Sequence, residues 1–233
     1  MEINLNDYLS NLDIKLTNEK LKQFETYYQW LSEWNEKINL TAITEIKGVY
    51  TKHFYDSLTV SKIVELKDKT LIDIGSGAGF PGLVLKIFEP SLKLTIIDGN
   101  AKRLKFLQAL IDHLKLNNVI LIHGRAEVEI KNYRENFDIV TARAVSKLNM
   151  LTEYCLPYAK VNGLFVAMKG SNYQAELDAA QRAITLIGGK VKDITKFEIP
   201  YNNEEHYLIS ISKIKKTELA YPRSFAQIDK RPL

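Results

Sequence analysis

Thr70-Leu71-Ile72-Asp73-Ile74-Gly75-Ser76-Gly77-Ala78-Gly79-Phe80-Pro81-Gly82 decides the fold. Its first five residues form a short, nearly continuous apolar run that ends on glycines. Such a run marks a strand buried on both faces in a parallel sheet. Glycines at the turn that follows let the backbone bend sharply and approach a ligand without Cβ interference. Pro81 suits the first turn of a helix. Strand, glycine turn and helix in this order form the crevice where open α/β sheets bind ligands.

Similar apolar runs recur at 92–97, 119–122, 137–141 and 164–168, with helical patterns at 82–88, 101–115, 126–131, 147–159 and 173–187. That alternation predicts a doubly wound, mostly parallel α/β sheet. Two more strands are expected near 190–199 and 206–212. Lacking a helix between them, they should close one edge as an antiparallel pair, which makes seven strands. Upstream, Thr17 is the expected cap of a long helix whose stripe is Leu21, Phe24, Tyr28, Leu31 and Ile38, widened by Trp30 and Trp34. A second helix is expected over 46–64. The chain therefore divides into an N-terminal helical extension (1–66) packed on the core, a core domain (67–213) and a C-terminal tail (214–233).

The chain has 233 residues, 45% of them hydrophobic and 26% charged, which is ordinary globular composition. It excludes collagenous, disordered and disulfide-scaffold proteins. No apolar run reaches the roughly 18 residues of a membrane span. Residues 1–12 are polar and acidic, so no signal peptide is expected there. One cysteine, Cys155, excludes an internal disulfide and suits a reducing cytoplasm. The four histidines show no metal-ligand spacing, and no metal site is expected. The net charge is +4, and residues 213–233 alone hold six basic residues against two acidic ones. A neutral body with a basic tail attracts polyanions.

Gly77-Ala78-Gly79-Phe80-Pro81-Gly82 also fits the dinucleotide pattern G-x-G-x-x-G, with Asp98 at a suitable distance for a ribose. The glycines alone do not separate a nicotinamide cofactor from S-adenosylmethionine. Three features favour the latter. Asp73 precedes the cluster, where a carboxylate can hold a methionyl ammonium. Arg125-Ala126-Glu127 follows the third strand, placed to flank an adenine. No second substrate domain follows the sheet. Asp98, ending the second strand, is expected to accept both ribose hydroxyls, with Asn100 the better cap for the next helix.

Arg143 ends the fourth strand where enzymes that methylate exocyclic amines carry an Asn/Asp-Pro-Pro-aromatic element. Its planar fork suits a phosphate, a carboxylate or a base edge, and spacing equally permits a salt bridge to Asp138 or Glu127. Lys169-Gly170 ends the fifth strand at the same face. Cys155 falls in an apolar helix and offers no loop nucleophile.

These residues, together with Trp34-Asn35, Asn39-Leu40-Thr41, His53-Phe54-Tyr55-Asp56-Ser57 and Lys102-Arg103, make the chain resemble the RsmG family, also called GidB. The resemblance covers nearly the whole length. It implies a class I, Rossmann-like methyltransferase that moves a methyl group from S-adenosylmethionine to guanine N7 in small-subunit ribosomal RNA. It further implies cofactor contacts at Gly75, Phe80, Ala126, Glu127 and Arg143, besides Asp73, Gly77, Gly79 and Asp98 from the residues themselves. N7 carries a free lone pair, so catalysis by positioning is expected, with Arg143 and Lys169 as the candidate side chains. Arg223, Lys230 and Arg231 are expected to bind RNA. The partner is small-subunit ribosomal RNA or a 30S-like particle, and a cytoplasmic monomer is expected. A methyltransferase acting on a protein or small molecule, or a cofactor-binding sensor without catalysis, are the alternatives.

Overall fold

The computed structural model describes residues 3–200, 202 and 204–233. Its strands are β1 (Thr70–Ile74), β2 (Lys93–Asp98), β3 (Val119–His123), β4 (Phe137–Arg143), β5 (Ala159–Lys169), β6 (Gly189–Glu198) and β7 (Glu205–Lys213). They form one sheet in the order β3-β2-β1-β4-β5-β7-β6. The first five strands are parallel, and β7 runs antiparallel to both neighbours, β5 and β6. The expected edge pair is therefore present.

Side chains alternate across each strand, so β1 feeds two cores. Leu71 packs in a cluster with Leu94, Val84 and Phe106, under the helices Gly82–Phe88 and Ala101–His113. Ile72 and Ile74 pack in the other, with Leu151, Cys155, Leu177 and Ile184 from the helices Leu148–Cys155 and Tyr173–Ile187. Covering both faces explains why β1 reads as a nearly continuous apolar run. Among the described residues no helix is long and apolar enough to cross a membrane.

The first cluster continues into the N-terminal segment through Phe24, Tyr27, Leu31, Tyr50 and Phe54. Thr17 caps the helix Asn18–Asn35 by accepting from Lys20 N. The buried face of that helix is turned slightly from expectation: Tyr27 is buried and Tyr28 only half-buried. Residues 46–62 are helical but not uniformly so. Val49–Tyr55 widens into a π-helix between short α-helical turns, and Thr59–Lys62 tightens to 3-10 geometry. A widened turn is a common feature of functional segments because it re-aims side chains. Here it carries His53 and leads directly into Asp56.

One sequence expectation about the C-terminal stretch changes. Lys213 is not a solvated tail charge. It is fully buried, donates to Leu156 O at 3.2 Å and bonds Thr217. Burial lowers its pKa to about 8. Beyond it the chain turns back over the body and forms the helix Phe225–Lys230.

Candidate functional site

The carboxyl ends of the parallel strands build the site. At the end of β1, Gly75, Gly77 and Gly79 all have positive φ, the region that glycine enters at least cost. A Cβ on Gly75 would overlap the Val145 side chain, and one on Gly79 would overlap the Tyr27 hydroxyl. A Cβ on Gly77 would meet nothing, so open space lies beside this part of the loop.

Two carboxylates hold the loop. Asp73 is fully buried. Its Oδ2 accepts from Ser76 Oγ at 2.5 Å and Gly82 N at 2.9 Å, and its Oδ1 accepts from Thr141 Oγ1 at 2.9 Å. Burial raises its pKa, and these three donors oppose the rise. Through these bonds Asp73 supports the loop from beneath. Asp98 ends β2, where its Oδ2 accepts from Gly77 N at 3.0 Å and its Oδ1 from Asn100 N at 2.8 Å. Asn100 caps the following helix, as the sequence suggests.

Beside the loop lies a cavity of about 520 Å³. Gly75, Asp98, Ala126 and Glu127 border it, as do Ser146 and Tyr154. Ser146 Oγ and Tyr154 Oη are buried without a hydrogen-bond partner among the described residues. Such hydroxyls are costly unless a ligand or water satisfies them. A glycine turn with open space, a carboxylate with spare lone pairs and two waiting hydroxyls fit a nucleoside with a polar tail. The residues therefore suit S-adenosylmethionine. Asp73, Gly77, Gly79, Phe80 and Arg143 do not border this cavity.

Phe80 is stacked inside the protein. Its ring lies 4.4 Å from that of His53 and 5.5 Å from that of Tyr27, and both pairs are near-parallel. The Arg143 guanidinium lies 5.0 Å above the Phe80 centroid. Neither sequence-weighed partner of Arg143 is used: Asp138 bonds Thr70 and Lys160, and Glu127 bonds Arg125. Arg143 Nη1 instead donates to Asp56 Oδ2 at 3.1 Å and Lys52 O at 2.9 Å, while Nη2 lies 3.2 Å from His53 Nδ1. The other Asp56 oxygen meets His206 Nδ1 at 2.8 Å. Burial opposes ionisation of Asp56, but His206 and Arg143 hold its pKa below the usual value. Burial and then Arg143 lower the His53 pKa to about 3, and its Nε2 faces Thr41 Oγ1 at 2.8 Å. Asn35 shapes the turn that presents Thr41, accepting from the backbone N–H of Leu40 and Thr41. The Asn-Leu-Thr and His-x-x-Asp-Ser elements of the sequence are thereby explained as one polar cluster with Arg143.

A second cavity, of about 680 Å³, lies on this cluster. His53, Asp56, Arg143, Lys169 and His206 border it. Lys169 Nζ donates to Ser146 O at 2.7 Å and pairs with Glu176 at 2.6 Å. Val145 and Ser146 border both cavities, so the two adjoin across the turn that follows β4. His206 carries no sequence signal of this role, since 150 residues separate it from Asp56. Of the three tail cations expected to bind RNA, Lys230 and Arg231 are exposed. Arg223 is committed inward, with Nε 2.9 Å from Oε1 and Nη2 2.6 Å from Oε2 of the fully buried Glu153.

A family model described as rRNA small subunit methyltransferase G matches residues 20–208. Relatives bearing that description include one from Bacillus subtilis, 46% identical with 99% of each chain covered. Another, from Lactobacillus helveticus, is 48% identical over 97% of this chain and 96% of the relative. Among solved structures, M. jannaschii TYW2 in complex with AdoMet matches with a TM-score of 0.56 at 17% identity, covering 74% of this chain and 80% of that one. A SAM dependent methyltransferase from Aquifex aeolicus matches at 0.55 and 14% identity, covering 77% and 97%. At these identities the structural likeness speaks for the fold, a class I methyltransferase sheet.

Proposed function

The chain belongs to the rRNA small subunit methyltransferase G family, and from that premise we propose that it methylates N7 of a guanine in small-subunit ribosomal RNA. S-adenosylmethionine is the methyl donor and supplies an electrophilic methyl group on a sulfonium. The observation that carries the reading is the pair of adjoining cavities at the carboxyl edge of the sheet, joined at Val145 and Ser146. One suits the donor. The other takes the acceptor base.

In the donor cavity, Gly75 lines the wall beside Val145, Asp98 accepts from the ribose hydroxyls, and Ala126 and Glu127 flank the adenine. Gly77 and Gly79 shape the loop, Asp73 fixes it, and Phe80 buttresses it from the side of His53. In the acceptor cavity Arg143 and Lys169 act by position. Both are anchored, Arg143 by Asp56 and Lys169 by Glu176, so little reorganisation is needed when a base enters. Guanine N7 has an in-plane lone pair and needs no general base. The residues must align N7 with the methyl carbon and exclude water.

We further infer three functional parts: residues 1–66 close the acceptor side, 67–213 carry both cavities, and 214–233 complete the donor side and meet RNA. The exposed Lys230 and Arg231 are the tail's RNA contacts. The acting form is a cytoplasmic monomer, and its substrate is the RNA alone or in a 30S-like particle.

Borohydride reduction followed by aniline scission cleaves RNA at 7-methylguanosine. Small-subunit RNA from cells lacking this protein should lose one such cleavage, and restoring the gene should return it. An unchanged pattern overturns the guanine-N7 assignment. Label from S-adenosylmethionine entering a protein or small molecule instead would redirect the substrate, and binding without transfer would leave a sensor.

A further inference from the structure

The last stretch of the chain is docked at several points. Thr217 N donates to Glu135 at 2.9 Å, and Arg134 Nη2 donates to Tyr221 O at 2.6 Å. Arg223 forks onto buried Glu153. Ser224 and Gln227 form a capping box at the start of the helix Phe225–Lys230, and Ile228 of that helix is fully buried. Asn149 Nδ2 reaches Leu233 O at 3.4 Å. A six-residue helix does not persist alone in water. These contacts hold it in one place against the body.

What the helix presents there is specific. Phe225 and Asp229, four residues apart and so on one face, both border the donor cavity. Phe225 is 42% exposed, although its neighbour Ile228 is buried. The Arg125 guanidinium lies 3.9 Å from the ring centroid, tying Phe225 to the turn that leads into Ala126 and Glu127. The same cavity thus has a partly exposed aromatic ring and a carboxylate at one wall, contributed by a segment whose composition suggests only charge.

We propose that the C-terminal helix is a wall of the cofactor site, with Phe225 packing against the adenine ring and Asp229 accepting from its exocyclic amine. This rests on the placement of S-adenosylmethionine in the first cavity. The ribose is assigned to Asp98 and the adenine to Ala126 and Glu127, so an aromatic side chain held by Arg125 belongs to the adenine end. A flat heteroaromatic ring has a π face that Phe225 can cover whatever its substituents, whereas a carboxylate selects an amine over a carbonyl at the same ring position. Phe225 therefore supplies affinity, and Asp229 supplies selection of adenine over hypoxanthine. The bound nucleoside adds contacts at Phe225 and Asp229 to those that already dock the helix, and so steadies it further.

Calorimetry with S-adenosylhomocysteine on the full chain tests this. Phe225→Ala should weaken binding about tenfold, while Phe225→Tyr keeps it near wild type. Wild type should prefer S-adenosylhomocysteine over S-inosylhomocysteine, and Asp229→Asn should erase most of that preference. Amide exchange of residues 225–230 in the wild type should slow when S-adenosylhomocysteine is added, a reading that stands even if a variant folds poorly. Phe225→Ala binding within twofold of wild type, or exchange unchanged by the nucleoside, overturns the proposal while leaving the methyltransferase reading intact. Absence of binding by the wild type overturns both.

Discussion

Arg143 at the end of β4 and Asp56 in the N-terminal helical segment form an ion pair at 3.1 Å, with Asp56 only 1% and Arg143 16% exposed. The pair ties the N-terminal segment to the strand that ends at the acceptor cavity. Breaking a buried pair from one side leaves the other charge uncompensated, at a cost of about 3–5 kcal/mol. Arg143→Ala should therefore lower stability by an amount in that range, read from urea midpoints. Asp56→Asn should cost less, because the amide oxygen still accepts from Arg143. The double variant should fall short of the sum of the two singles; full additivity would mean the pair contributes no coupling.

Two histidines of this cluster should give stability a maximum near neutral pH. The hydrogen bond to Asp56 raises the His206 pKa in the folded state. Its contribution is complete below the unfolded value of about 6.5 and is lost as pH rises through the folded value. His53 behaves oppositely. Burial lowers its pKa to about 3, so from about 6.5 down to 3 the unfolded chain binds the proton and the folded chain does not. Stability should fall on that side by up to about 1.4 kcal/mol per pH unit. Denaturant midpoints between pH 5 and 8, below the range in which the lowered pKa of buried Lys213 works in the opposite sense, should lose their alkaline decline in His206→Asn. Should the variant retain the wild-type decline, His206 is not its source.

The sheet is legible in the sequence because the central strands are buried on both faces and so leave short, nearly continuous apolar runs. The glycine turn is legible for a different reason: three positive φ angles in five residues demand glycine. The acceptor cluster is not legible from spacing. Asp56, Arg143 and His206 stand far apart along the chain and meet only because β7 inserts between β5 and β6, bringing His206 to the same edge. Nor does local periodicity reveal the widened turn at Val49–Tyr55. Counting charge at the C-terminus misleads in a definite way, since Lys213 and Arg223 are neutralised by Glu135 and Glu153, which lie in earlier elements.

That difference separates the tail cations by experiment. Arg223→Ala should destabilise the fold, since it strands the carboxylate of Glu153 in the interior. Arg223→Lys should rescue little, because an ammonium cannot repeat the two-pronged contact. Lys230→Ala with Arg231→Ala should leave the melting temperature nearly unchanged. It should instead lower the salt slope of RNA binding by roughly 0.7–0.9 for each phosphate that is no longer neutralised. Filter binding across a salt series reads this directly, and an unaltered slope would remove Lys230 and Arg231 from the RNA interface.

The N-terminal helix should govern cofactor affinity through one hydroxyl. Tyr27 is fully buried, and its Oη donates to Ala78 O at 2.5 Å, inside the glycine loop. Burial raises its pKa well above the usual tyrosine value, so the phenol stays protonated and the bond persists across the working pH range. Tyr27→Phe leaves the Ala78 carbonyl without this donor and should cost about 1–3 kcal/mol. Gly79 stands against the same hydroxyl. A Cβ there collides with Tyr27 Oη, and the φ of +101° is strained for any side chain. Gly79→Ala should therefore weaken S-adenosylhomocysteine binding severely in the wild type and less severely in the Tyr27→Phe background, where one collision is gone. Leu83 and Leu107 also crowd that Cβ, so rescue should be partial. Calorimetry on the four proteins of this cycle gives the coupling between the two positions. A coupling indistinguishable from zero would show that the helix supports the loop by packing alone, and that the Tyr27 hydroxyl has no part in shaping the donor cavity.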